Sequence, residues 1–356
     1  MSRPYLIIPQ LIAQPTWGGD YLLKLKGWSK SQSLGKIGQS YELSSASLLA
    51  INVKKSDDLQ SLIGSQDSKE SILISKLEPI NLLIKLNQAL GNSFQLHINP
   101  NIKGTKWKPK PESWYFLENG SITLGLAPGA DTNQYKNICV EIDTFMHDLS
   151  HRIINRELSL ELARMEAGEF IHKKNPWQFV NKYTVKKHDL IDLSMGAIHH
   201  SWEEDADNAP LGNIVFEVQI EASDDEATIR SFDQGKIKND GSVRKLAIDD
   251  YFDHLDADPA HNDISFLRRL QDGNSLLSTV FYAVDIIEPE EKTIVQTEGK
   301  YHHLYVRDGG VSVKGGDVSL IIGRGHSCFI PSSLEKYTIE PVEANSTVLR
   351  TYSANT

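Results

Sequence analysis

Two segments decide the fold: VKKHDLIDLSMGAIHH, residues 185–200, and KGGDVSLIIGRGHSCFIPSS, residues 314–333. Each runs basic residue, turn, Asp, strand, turn, strand. An echo of this kind reads as two copies of one β unit. Short runs rich in Ile, Leu, Val, Phe and Tyr surround both copies. Before residue 131 they are PYLIIP, QSYELSSA, LLAINV, INLLIKL, SFQLHINP, SWYFLE and SITLGL. YTVKKHDLIDL, GAIHHSW, NIVFEVQIEA and ATIRSFD come later, and a last block starts at about 275 with STVFYAVDIIE. Gly, Asn, Pro and Ser bound them, as they bound strands.

Strands this numerous, without βαβ alternation, exclude a parallel sheet and predict a sandwich or barrel. The expected architecture is mainly β: two cupin-type jelly-roll β-barrels with a helical insertion. The insertion falls at about 131–180, where Leu149, Ile153, Leu158, Leu162 and Met165 recur at helical spacing and Asn175-Pro176 stops the run. Residues 1–270 form the first, catalytic domain and 271–356 the second, which carries no complete ligand set and is expected to be structural.

Bulk properties narrow the function. At 40% hydrophobic and 24% charged residues, the chain is neither disordered nor a coiled coil. No apolar run reaches the roughly 18–20 residues of a membrane span. The start, MSRPYLIIPQLIAQPTW, lacks the three-part layout of a signal peptide. A net charge of −10 argues against a nucleic-acid surface, yet a local pocket can still be positive. The two cysteines, Cys139 and Cys328, form no CxxC, which fits small buried hydrophobes and a reducing, cytoplasmic setting.

Four stretches could carry chemistry. In SFQLHINP, Gln95 and His97 sit two apart, so a strand turns both to one face. That face is either solvated or half of a metal site. In PKPESWY, Lys110 and Glu112 are either a solvated pair in a loop or an acid/base group beside a ligand. In GAIHHSW, His199 and His200 point to opposite faces, so at most one enters the interior. In ATIRSFD, Arg230 is either an edge-strand cation in solvent or a buried cation for an oxyanion or phosphate. Gln95, His97, Glu112 and one of the two His residues would make a mixed N/O set that suits Zn²⁺ with room for substrate. His147 and His151 are four apart on the helix, but no Glu makes them HExxH, and a solvated helix face is the better reading. There is no Walker pattern, GxGxxG or GxSxG.

Taken in order, these stretches resemble the type I mannose-6-phosphate isomerases, zinc enzymes of the cupin superfamily. TWGGDYL (16–22), IGQSYELSS (37–45), INLLIKLNQALGNSFQLHINP (80–100) and KPESWY (110–115) resemble successive family blocks. So do WQFVNKYTVKKHDLIDLSMGAIHH (177–200), FEVQIEASDDEATIRSFD (216–233) and the ending SCFIPSSLEKYTIE…LRTYS. The resemblance implies that Gln95, His97, Glu112 and His199 hold one Zn²⁺ per chain. It also implies active-site roles for Lys110, Arg230 and a pocket Glu, either Glu217 or Glu221. The sequence departs from the pattern in QLHINP, where the proline is shifted, at His188, where the family turn has Gly, and at Ser194-Met195-Gly196, where it has PAG.

The implied activity is interconversion of mannose 6-phosphate and fructose 6-phosphate through an enediol. The proton carrier is Lys110, Glu217 or Glu221. The expected partner is a phosphorylated hexose, with no nucleic acid and no membrane. Two alternatives share the scaffold: isomerisation of another phosphosugar, and a non-catalytic sugar-binding cupin.

Overall fold

The computed structural model of the chain describes residues 2–14, 17–28, 35–64, 69–196 and 200–354. Four antiparallel sheets build two barrels. The first barrel pairs a seven-stranded with a five-stranded sheet. The seven-stranded sheet runs Arg268–Arg269, Leu190–Asp192, Glu112–Phe116, Asn213–Ile220, Leu82–Ala89, Ile37–Leu43, Gln10–Ala13. The five-stranded sheet runs Val180–Val185, Gly120–Leu126, His200–Trp202, Phe94–Leu96, Ile229–Phe232. The second barrel pairs an eight-stranded sheet with the four strands Thr293–Gln296, Lys336–Pro341, Gly310–Gly315 and Val318–Gly323.

The two echoing segments occupy equivalent places. Leu190–Asp192 lies in one sheet of the first barrel and His200–Trp202 in the other. Val318–Gly323 and Ser327–Ile330 divide the same way in the second. The Lys-x-x-Asp turns also match: His188 stands at φ 74° where the second copy has Gly316 at φ 56°. A non-glycine residue at positive φ is disfavoured. Here the His188 ring stacks on Tyr115, centroids 5.7 Å apart, which offsets part of that cost.

Strand alternation explains how the barrels join. Along Leu82–Ala89, Leu82, Ile84 and Leu86 enter the large apolar core that continues into the second barrel. Leu83, Lys85 and Ala89 line a cavity inside the first barrel. The seven-stranded sheet is therefore a party wall, apolar on one face and polar on the other. The second barrel also borrows from the N-terminus. Tyr5–Ile8 pairs with Ser327–Ile330 on one side and Leu48–Ala50 on the other, and Ser71–Leu73 completes the edge. Three strands from before residue 80 thus cross the chain division at 270.

The insertion contains two helices, Thr132–Ile154 and Leu160–Lys174, followed by a short 3₁₀ turn, Pro176–Phe179. Asp131 caps the first by accepting from the backbone N–H groups of Asn133 and Gln134, and Ser159 caps the second through Leu162. Asn175, at φ 47°, ends it where Asn-Pro predicts. The single apolar stripe from Leu149 to Met165 is not observed. The chain breaks at Arg156, φ 62°, and the second helix starts on a new register. It buries Ala163, Ala167 and Ile171, leaving Leu162 and Met165 exposed. Residues 248–254 form another helix, Ile248–His254. Cys139 and Cys328 are buried and unpaired by disulfide, as expected. Among the described residues, no helix is long and apolar enough to cross a membrane.

Candidate active site

The first barrel encloses a cavity of about 610 Å³. Its walls come from both sheets, and residues of the segment 233–244 line its mouth. At its floor, strand Glu112–Phe116 turns Glu112 and Trp114 inward. Next to it, Asn213–Ile220 turns Glu217 and Gln219 inward, with Gln219 directly opposite Glu112. Across the barrel, strand Phe94–Leu96 places Gln95 opposite Arg230 in register.

His97 and Glu112 are both 1% exposed. His97 Nδ1 lies 2.6 Å from the carbonyl oxygen of Ala227. A carbonyl cannot donate, so Nδ1 carries the ring proton. Burial and the charge of Lys110 hold the pKa of His97 below the usual imidazole value, against the pull of Glu112. The ring is thus neutral, and the lone pair of Nε2 faces Glu112 Oε2 at 3.2 Å. Lys110 Nζ approaches the same oxygen at 3.0 Å. A nitrogen lone pair turned towards a buried carboxylate is the donor arrangement a divalent cation satisfies, and a locked Nδ1–H is how proteins orient ligating His.

Gln95 stands near this pair. Its Oε1 accepts from Ser93 Oγ at 3.0 Å, and Ser93 Oγ in turn accepts from Arg230 Nε at 3.1 Å. Arg230 lies on the edge strand of its sheet, as one sequence reading had it, yet it lines the cavity. Its Nη2 donates to Asp224 Oδ2 at 2.6 Å. His199 lies outside the described residues. The neighbouring backbone is described: His200 is the register partner of Gln95. Among the described residues no three His, Cys, Asp or Glu gather to hold a metal. The expected set includes an amide, Gln95, and a His beyond them.

The structure separates the two glutamates left open by the sequence. Glu217 is 2% exposed and lines the cavity. Lys85 Nζ is 3.2 Å from its Oε1, and Asn87 Nδ2 donates to Oε2 at 2.9 Å. Burial pushes its pKa above the usual carboxylate value, with Lys85 opposing. Glu221 instead holds Ser45 at the surface, through the Ser45 backbone N–H and hydroxyl. His147 sits on an exposed helix face beside Asp143, as the plainer reading had it.

Sequence reasoning missed Lys85, Ser93, Asp224, Lys236 and Arg244. Lys85 had a signal: Leu83, Lys85 and Asn87 share the strand face opposite Leu82, Ile84 and Leu86. Lys236 and Arg244 lie in a polar loop without periodicity, where nothing marks them.

The fold defined by these sheets is a double jelly-roll barrel with one hollow, polar barrel. Over 99% of both chains it matches a mannose 6-phosphate isomerase from Bacillus subtilis, with a TM-score of 0.65 and 15% identity. A mannose 6-phosphate isomerase bound with zinc and yttrium matches over 99% of this chain and 100% of its own, with a TM-score of 0.64 and 11% identity. A variant of phosphomannose isomerase from Salmonella typhimurium gives the same coverage, with a TM-score of 0.63 and 11% identity. The chain therefore has the fold of the mannose 6-phosphate isomerases. No protein-family model matches the sequence, and no curated protein matches it.

Proposed function

We propose that the chain is a zinc-dependent aldose–ketose isomerase that interconverts mannose 6-phosphate and fructose 6-phosphate. The observation that carries the reading is the His97–Glu112–Lys110 group, buried in the cavity of this fold with the His97 lone pair aimed at the carboxylate. Gln95, His97, Glu112 and His199 would hold the Zn²⁺. Bound there, the ion would supply Lewis-acid polarisation of the sugar carbonyl.

The chain's own residues do the rest. Glu217 takes the proton from C2 of the aldose and returns it to C1, while the hydroxyl proton passes from O2 to O1. A carboxyl lifted by burial suits a group that must both accept and release a proton near neutrality. Lys85 and Asn87 hold it in place. Lys110, 3.0 Å from Glu112, offers a donor to a substrate oxygen. Arg230, fixed by Ser93 and Asp224, faces the developing oxyanion. Trp114 and Trp202, ring centroids 5.0 Å apart, exclude water from the wall.

A coupled assay of mannose 6-phosphate isomerisation tests this, before chelation, after it, and with zinc restored. Activity should vanish and return. Glu112→Gln should lose zinc and turnover while still folding. His199→Ala and His200→Ala, made singly, should differ, with the first losing the metal. Full activity in a zinc-free preparation would sink the metal role, and no turnover in zinc-loaded protein would sink the substrate.

A further inference from the structure

One polar side chain of the cavity wall is used neither by the fold nor by the isomerisation chemistry. Gln219 is 2% exposed and lines the cavity, and its Oε1 has no hydrogen-bond partner among the described residues. A buried amide oxygen without a donor costs stability. On a cavity wall, the missing donor is one that a ligand can bring. The strand register shows why no side chain supplies it. Gln219 stands between Leu83 on one neighbouring strand and Glu112 on the other. Leucine has nothing to donate, and a carboxylate only accepts. Lys85 and Lys110 also line the cavity, but they are drawn to Glu217 at 3.2 Å and to Glu112 at 3.0 Å.

Other amides around the cavity are spent within the protein. Gln39 Nε2 donates to Asn87 Oδ1 at 2.9 Å, Asn87 Nδ2 donates to Glu217 Oε2 at 2.9 Å, and Gln95 Oε1 accepts from Ser93 Oγ at 3.0 Å. Position then narrows the ligand. Gln219 shares its strand face with Glu217, about 7 Å away along the strand, and faces Glu112 across the ladder. A molecule that reaches both carboxylates therefore passes Gln219. In the isomerase reading, Glu217 serves C1 and C2, and the oxygens of those carbons lie at the His97–Glu112 group. The next oxygen along the sugar is the C3 hydroxyl. It takes no part in the proton transfers and keeps its own proton, so it can donate to Gln219 in substrate, intermediate and product alike.

We infer that Gln219 is a specificity-determining residue: it accepts a hydrogen bond from the C3 hydroxyl of the open-chain sugar phosphate and makes that hydroxyl a condition of recognition. An amide left unpaired by an analogue without the hydroxyl is what gives such a contact its discrimination. The choice of C3 rests on the isomerase reading above; the unpaired amide in the wall does not.

Calorimetric titration of zinc-loaded protein tests the contact without turnover. The probes are the open-chain alcohol made by reducing mannose 6-phosphate at C1, and the same alcohol lacking its C3 hydroxyl. The variant is Gln219→Met, which keeps the length and volume of the side chain. One hydrogen bond of this kind is worth about fivefold to tenfold in affinity. Wild type should bind the 3-deoxy alcohol more weakly than its parent by that factor, and Gln219→Met should bind the two equally. A role in the fold would weaken both probes alike and leave their ratio as in wild type. Zinc content should not change, which separates a sugar contact from a metal ligand. Gln219→Met should also melt no lower than wild type, because the amide it removes has no protein donor. A variant that keeps the wild-type ratio overturns the inference. So does a wild type indifferent to the C3 hydroxyl, a variant that has lost zinc, or one that melts lower. If wild type shows the expected ratio yet turns over no mannose 6-phosphate, the contact stands and the isomerase reading alone falls. Binding of neither alcohol by wild type overturns both.

Discussion

Glu203 ties the barrel to its insertion, and removing it should reveal how much that tie contributes. Its carboxylate is 4% exposed. It accepts from Ser201 Oγ, from Trp177 Nε1 at 3.0 Å, from Gln234 Nε2 at 3.2 Å and from Thr123 Oγ1 at 3.3 Å. Ser201 and Thr123 belong to the five-stranded sheet, Trp177 to the 3₁₀ turn after the helices, and Gln234 to the loop after strand Ile229–Phe232. Glu203→Ala leaves the Trp177 N–H without its acceptor, a penalty of about 1–3 kcal/mol. The vacated volume adds about 1–2 kcal/mol. The hydroxyls lose less, because Thr123 and Ser201 already bond each other. The expected loss is about 3–4 kcal/mol in urea unfolding at pH 7. Glu203→Gln keeps the volume and one acceptor and should cost about 1 kcal/mol or less. The sign of the pH dependence also follows. Burial raises the pKa of Glu203 in the folded protein, against the donors that lower it. The folded state then binds more protons than the unfolded one between the two pKa values, so this group's contribution falls as pH rises through that window. Glu203→Gln lacks the effect, so its deficit should shrink between pH 5 and pH 8. A loss below about 1 kcal/mol for Glu203→Ala, or a Gln deficit that widens with pH, would refute the reasoning.

Three further outcomes follow from the site. Lys85→Met strips the cation from a buried carboxylate pair and should destabilise by about 3–5 kcal/mol, with Lys85→Met/Glu217→Met recovering much of it in thermal unfolding. Ser93→Ala breaks the Arg230–Ser93–Gln95 bridge and should weaken zinc affinity about tenfold or more while the fold holds, read by competition with a chromophoric chelator. Gly196→Ala puts a Cβ 2.5 Å from the His97 carbonyl oxygen at φ 58°; it should lower both the melting temperature and the zinc content, by about 1–3 kcal/mol in the former's terms.

What was legible in the sequence was what strand alternation and turn chemistry encode. Gln95 with His97 could be found because spacing two on a strand-like run leaves a trace, although the strand itself ends at Leu96; Lys110, two before the strand Glu112–Phe116, could be found with Glu112 as a loop pair. The helical insertion could be found because its helical spacing and its Asn-Pro stop are local. The Leu149–Met165 stripe misled because Leu162 and Met165 imitate a continued period across a break that only the positive φ of Arg156 creates. Glu217 and Glu221 are four residues apart at the end of one strand and beyond it, and no local pattern separates them. Their difference is topological: one faces the party wall's hollow side, and the other lies past the strand's end at Ser45.

The echo between the two copies was visible, but its functional asymmetry was not, because that asymmetry lies in the opposing walls. In the second barrel the corresponding space is packed by Leu304, Val306, Val313, Ile322 and Cys328, all fully buried. In the first barrel the same unit faces Lys85, Glu112 and Glu217. Those polar residues are tolerated in a buried wall only because Lys85 and Asn87 satisfy Glu217 while Lys110 pairs with Glu112. Their alternate neighbours, Leu82, Ile84, Leu86, Phe216 and Val218, meanwhile supply the wall between the barrels with apolar area. The filled barrel thus gives the hollow one a rigid back, and a charge introduced on the apolar face of this wall should cost as much as one lost from the polar face. Ile84→Lys and Lys85→Met, neighbours in sequence on opposite faces, make that comparison directly.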